Sequence, residues 1–464
     1  MALTLRQLTS WKGEIARREY LVWGLILFAV KYNLDRWIAL EFNKSWFITD
    51  YFIQADKLTI QDLGAEERIF FLILLLQSLP FIWFGTVLCV KRLRSAKLPG
   101  WLVMFFFIPF INFILFILLA AAPESTTEKG TRNRHLSKLL PRSRYGAAMF
   151  SIGIVSLISL LLTGLLLNYL KDYGWSLFVG VPFFLGFGSV LLYGYHNRLE
   201  YKDAIGVALS ATLFFSLIIF ILAFEGIICI AMAFPIFFVV TLIGATIGYV
   251  IHNSQRQVAL HMIAIPMFLI PALGFIEHTQ DSLPPTAQVE TQIIIQASKQ
   301  EVWDQLVAFG KIEEPTELLF KSGIAYPIHA EINGKGVGAT RKCNFTTGAF
   351  VEPITIWDEP NLLEFSVLDQ PPPMIEWSIY KDLEISHLDR YFLSEKGQFK
   401  LTELPDGQTQ LLGTTWYHHD VWPSLYWKLW SDYILHKIHT RVLAHIKEKA
   451  ELSLEKHSGD GSLQ

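Results

Sequence analysis

Residues 204–224 read Ala-Ile-Gly-Val-Ala-Leu-Ser-Ala-Thr-Leu-Phe-Phe-Ser-Leu-Ile-Ile-Phe-Ile-Leu-Ala-Phe, an uncharged run that stops at Glu225-Gly226 and resumes as a second apolar stretch through Ile251. About 20 residues at ~1.5 Å of rise each cross the ~30 Å hydrocarbon layer of a bilayer. Working outward, comparable runs lie at 20–40, 69–90, 101–122, 146–170, 175–195, 226–251 and 258–276, so eight apolar segments are expected. Aromatic residues suited to the headgroup layer bound several of them, among them Tyr20, Trp37, Trp101, Trp175 and Tyr195.

Composition agrees with this and then divides. Only 17% of the 464 residues are charged, below the roughly 25% of an ordinary soluble domain. Residues 146–276 hold eight charged side chains, whereas residues 277–464 hold 43, a soluble density. The chain reads as a membrane module at 1–145, a second multi-span region at 146–277, a linker at 278–286, a soluble domain at 287–452 and a disordered tail at 453–464. A net charge of -3, with no basic excess, argues against nucleic acid as a partner. Cys89, Cys229 and Cys343 stand singly, which excludes a disulfide framework and a Cys-x-x-Cys metal site; no metal and no cofactor is expected. The polar, basic start lacks the pattern of a cleaved signal peptide.

Lys and Arg in short loops mark the cytoplasmic side. Lys12, Arg17 and Arg18 in the N-terminal arm, then Lys91, Arg92, Arg94 and Lys97, place the N-terminus in the cytoplasm of an inner-membrane, multi-pass protein. The loop at 123–145 is also basic, although a full crossing by 101–122 would carry it outside. Either that segment, with Pro109 and Asn112 at its centre, is a re-entrant hairpin and the C-terminal domain lies outside, or it crosses and the domain is cytoplasmic. Glu225 is the one intramembrane polar candidate: either a functional buried acid or a surface residue of a tight turn that Gly226 shapes. Gly244 and Gly248 form a small-residue pair that lets helices approach closely.

Two stretches of this membrane half carry a resemblance. Gly13-Glu14-Ile15-Ala16-Arg17-Arg18-Glu19-Tyr20, Lys91-Arg92-Leu93-Arg94 with Pro99-Gly100-Trp101, and Ile108-Pro109-Phe110 resemble the bacterial inner-membrane family called domain of unknown function 805. The His-Asp pair usual in that family after Arg-Leu is replaced here by Arg94-Ser95.

The C-terminal pattern opens with a strand at 289–295, then Ser298 with Glu301 as a capping box for a helix through Phe309. Strand-like runs follow at 337–345, 349–357, 362–368, 398–404 and 408–417, and an amphipathic helix at 424–452 closes the domain. Ile295-Gln296-Ala297-Ser298, Gly336-Val337-Gly338-Ala339-Thr340-Arg341 and Trp357-Asp358-Glu359-Pro360, in this order of elements, resemble the START, polyketide-cyclase and pollen-allergen superfamily (SRPBCC), an α+β helix-grip fold. That resemblance implies a cavity between sheet and long helix, hence a hydrophobic small molecule or lipid as ligand beside the lipid bilayer. Strand alternation sends Phe350, Glu352, Ile354 and Ile356 to one face, with Phe365 on the next strand and Trp416 and His418 on the last. Trp430, Ile434 and His445 join them from the helix. Glu352 and His418 are the acid-base candidates for an alternative reading as a cyclase or hydrolase; otherwise Glu352 is a structural acid paired with Arg341 or Lys342. A transporter built on Glu225 is the third reading. The insertion 370–389 is either a lid or a surface loop.

Overall fold

The computed structural model describes residues 9–47, 51, 64–107, 111–122, 140–171, 173–254, 261–279, 286–378 and 392–460. Pro109, most of the loop at 123–145, most of the linker and the second half of the 370–389 insertion lie outside them. The chain forms two compact units: residues 1–219 with 233–281, and residues 220–232 with 282–464.

Helices Ala65–Ser95, Arg144–Leu170, Ser176–Gly194, Tyr201–Ile221 and Ile227–Ser254 are long and apolar enough to cross a membrane; the first three lie in the first unit, and the facing ends of the last two belong to the second. Five among the described residues replace the expected eight. Helix Arg17–Glu41 misses on composition, because Lys31, Asp35 and Arg36 lie within it. Residues 101–122 are split into a 3₁₀ segment, Gly100–Phe107, and a short helix, Ile111–Ala121. Helix His261–His278 is short and contains Pro266 and Pro271.

Both described parts of the segment meet neighbouring helices. Arg92, three residues before the end of its helix, donates from Nε to Leu119 O at 2.9 Å and from a terminal nitrogen to Ala122 O, while Gly100 follows that same helix end. Phe106 lies against Gly85 and Phe113 against Phe28. Lining up the last carbonyls of helix Ile111–Ala121, Arg92 caps that helix in charge as well as in hydrogen bonds.

Helix Ser176–Gly194 is the buried centre of the later spans. A Cβ on Gly244 would lie 2.3 Å from Phe183 O, and one on Gly186 would lie 2.1 Å from Thr241 O, so glycine lets these two backbones touch. Thr241 shares hydrogen bonds with Thr212 at 3.0 Å and Pro182 O at 3.2 Å. Glu277 accepts from Ser176 N at 3.2 Å, and Gly194 packs on His252, which fixes the alternating ends of these helices.

The second unit holds a seven-stranded antiparallel sheet in the order β1-β7-β6-β5-β4-β3-β2. The strands are β1 Ala287–Ile295, β2 Pro327–Asn333, β3 Thr340–Phe345, β4 Gly348–Asp358, β5 Leu362–Ser366, β6 Phe392–Glu403 and β7 Thr409–His419. Helix α1, Lys299–Val307, starts on the expected capping box. The terminal helix, α2, runs Ser424–Asp460, past the expected end at Leu452 and into the supposed tail. The curled sheet closes on α2 through a core that includes Trp303, Leu363, Phe365, Leu411, Leu443 and Ile446. This is a helix-grip arrangement.

Candidate functional site

Strand register sets the site's centre. Arg341 on β3 faces Glu352 on β4, both almost fully buried, and Arg341 Nη1 donates to Glu352 Oε2. Arg341 Nε also donates to Val307 O at 3.2 Å, at the end of α1. Three rings surround the guanidinium, with centres at 5.4 Å (Phe365), 5.6 Å (Phe309) and 5.8 Å (Phe399). Gly397 makes room for one of them, since a Cβ there would lie 2.5 Å from the Phe365 ring. Burial raises the Glu352 carboxyl above the ordinary carboxylate range, and the adjacent guanidinium draws it back. Burial likewise pushes the neighbouring Cys343 thiol up to about 12, so it packs as a small apolar group.

On the other side of Phe309 sits His445 of α2, with ring centres 5.9 Å apart. It is 5% exposed and its Nε2 has no hydrogen-bond partner. Burial lowers its pKa, which keeps the imidazole neutral at pH 7. An unmet buried nitrogen costs about 1–3 kcal/mol, and a ligand's hydroxyl or carbonyl would satisfy it.

The other expected residues divide between three places. Phe350, Glu352, Ile354 and Phe365 do share the concave face: Ile354 and Phe365 are core, and Phe350 meets Phe345 in a tilted pair with ring centres 4.7 Å apart. Ile356 does not, because a bulge between Ile354 and Ile356 shifts the alternation and turns Trp357 inward onto Trp303. Trp416 and His418 lie on the outer face, where Lys396 Nζ sits 4.3 Å from the Trp416 ring and His418 Nδ1 is 3.0 Å from Glu395. Their neighbours face α2 instead: Tyr417 donates to Asp432 at 2.6 Å and Thr415 meets His439 at 2.8 Å. Glu352 and His418 are therefore not brought together. Ile434 belongs to a separate cluster with Ile228, Phe320, Ile324 and Met374, and Trp430 lies half-buried one turn before it.

Two features went unread in the sequence. Thr291 of β1 bonds His436 Nδ1 at 2.8 Å and His439 Nδ1 at 3.2 Å, so both histidines reach the sheet, His439 half-buried and His436 still exposed at its edge. The clue was Thr291 in phase with Val289 and Ile295 on the inner face of β1. Among the described residues no group of three His, Cys, Asp or Glu is placed to hold a metal. Second, Glu376, in the described part of the insertion, accepts from Ile228 N at 2.9 Å and Cys229 N at 2.8 Å, while Trp377 O accepts from Ile227 N at 3.1 Å. Glu225 lies in the turn between helices Tyr201–Ile221 and Ile227–Ser254, beside this cap.

Residues 8–131 match the model of a family described as protein of unknown function (DUF805). The N-terminal resemblance is thereby upheld. No curated protein matches the chain. Solved structures match the C-terminal part. Truncated norcoclaurine synthase from Thalictrum flavum aligns over 38% of this chain and 98% of its own, at 15% identity and a TM-score of 0.25. The Aha1 dimer from Colwellia psychrerythraea aligns over 36% and 96%, at 17% identity and a TM-score of 0.22. A protein from Nitrosospira multiformis aligns over 35% and 95%, at 14% identity and a TM-score of 0.24.

Proposed function

We propose that this chain is an inner-membrane protein whose helix-grip domain takes up a hydrophobic molecule, a lipid or an aromatic compound, between its sheet and terminal helix. The observation that carries the reading is the unmet Nε2 of His445, buried beside Phe309 and the ring-enclosed Arg341–Glu352 pair. Apolar walls with one unmet polar atom suit a ligand with an apolar body and a single polar end. The full-length protein, released from detergent in native mass spectrometry, is expected to carry an adduct whose occupancy falls in His445→Leu while lipids on the spans are unchanged. Adduct-free protein, or adducts indifferent to His445→Leu, overturns the reading.

Crossings and charge support an orientation. With residues 100–122 returning to the side they left, 17 Lys and Arg fall on the side of the N-terminal arm and four on the other, which makes the arm's side cytoplasmic. A crossing by His261–His278 returns the chain to the side on which helix Ile227–Ser254 starts. At ~1.5 Å per residue it spans about 27 Å, enough for a slightly thinned bilayer. The domain is then outside the cytoplasm. Alkaline phosphatase fused after Gln464 should be active and green fluorescent protein dark; the opposite pair of results reverses the orientation.

A further inference from the structure

The domain's first contact with residues 227–232 sets a membrane level on its own surface. Glu376 bonds Ile228 N and Cys229 N, and a carboxylate with its helix-start amides belongs outside hydrocarbon. Helix Ile227–Ser254 has 28 residues, about 42 Å at ~1.5 Å each, against ~30 Å of hydrocarbon. Tyr426 of α2 donates its hydroxyl to Met232 O, one and a half turns in, which sets the start of α2 beside the first turns of that helix.

Near that contact large apolar side chains are exposed, and the charged pair in the same stretch, Lys428 with Asp432, is closed on itself at 2.6 Å. Leu425 is 68% and Leu429 65% exposed on successive turns of α2, and Trp377, whose carbonyl accepts from Ile227 N, is 58% exposed. The outward stripe of α2 then changes character: Tyr433 is exposed, followed by His436, Thr440, Ala444 and Glu448. Tyr426, Trp427, Trp430 and Trp377 supply the amphipathic rings that favour the headgroup layer.

We infer that Trp377, Leu425 and Leu429 form a bilayer-docking rim, seated in the headgroup layer of the phospholipid leaflet that surrounds helix Ile227–Ser254. The occupant is lipid because the rim is continuous with the start of a membrane-spanning helix and carries aromatics at its boundary. The rim rests on the membrane reading of the spans and is independent of any ligand within the domain.

The test uses the full chain in vesicles of phosphatidylethanolamine and phosphatidylglycerol. Single cysteines at Trp377, Leu425, Leu429 and, for control, Val337 and Thr440, in a chain with Cys89, Cys229 and Cys343 changed to Ala, carry a nitroxide. Collision with oxygen should exceed collision with a water-soluble nickel chelate at 377, 425 and 429, and the ratio should invert at 337 and 440. Nickel-dominated collision at all five positions overturns the rim, and low collision with both reagents at 425 and 429 shows a protein partner there instead. If the cysteine-free chain fails to fold, the same labels on the chain with native cysteines, corrected for its own labelling, give the same comparison. A chain that never enters vesicles would defeat the membrane reading itself, an outcome distinct from either.

Discussion

Two acids of the C-terminal unit are held by opposite means. Glu352 is enclosed by the sheet and balanced by a guanidinium, which is itself ringed by Phe309, Phe365 and Phe399. Glu376 is half-buried and balanced by the amides of Ile228 and Cys229 at a helix start. A full charge in an apolar shell must have its partner or be removed with it, whereas a helix end offers only partial charge and water can replace the carboxylate. The first arrangement therefore serves the stability of the domain, and the second joins the domain to residues 227–232.

This contrast breaks first at Arg341. Arg341→Met strands the Glu352 charge and should lower the domain's stability by about 3–5 kcal/mol in denaturant unfolding. Arg341→Met with Glu352→Leu should recover most of that loss; a double variant as unstable as the single would mean that packing, not charge, holds the interior.

Acid should have the next largest effect. Burial lowers His419 and His439 to about 4 from the ordinary 6.5. Since the unfolded chain protonates first, stability is full above pH 6.5 and declines as pH falls toward 4. Each histidine sets an upper bound of about 3 kcal/mol on that decline, less where water reaches the ring. Thermal midpoints across this range should show a shallower fall in His439→Gln, which cannot charge.

Glu376→Gln should cost about 1 kcal/mol, the scale of a helix cap, and should leave Arg341 and Glu352 undisturbed. Hydrogen exchange should speed up at Ile228 and Cys229 but not at β3 or β4; faster exchange throughout the domain would join the two sites that the comparison separates. Smallest is His418→Ala. Its outer-face pair with Glu395 is partly exposed, and its loss should change stability by no more than about 1 kcal/mol and leave ligand binding intact.

Much of the C-terminal fold could be read from spacing. The capping box at Ser298, the period-2 strands β1, β4 and β7 and the apolar stripe of α2 are local signals, each decided by residues near one another in sequence. Strand β2 escaped because it is the last strand of the sheet: it starts at Pro327 and buries only Pro327 and Ala330. In Thr414-Thr415-Trp416-Tyr417-His418-His419 both faces are aromatic, so the inward set depended on the pairing with β1 and β6.

Sequence by itself determined that the chain has a charge-poor membrane part and a charged, helix-grip part, because burial in lipid or protein imposes hydropathy and periodicity residue by residue. Only the tertiary structure decided that Arg92 meets the last carbonyls of helix Ile111–Ala121, that a bulge sends Ile356 outward, and that Glu376 caps the helix after the turn. Each of these depends on which distant backbone group a polar side chain meets, and a hydrogen bond between residues far apart in the chain leaves no period in the sequence.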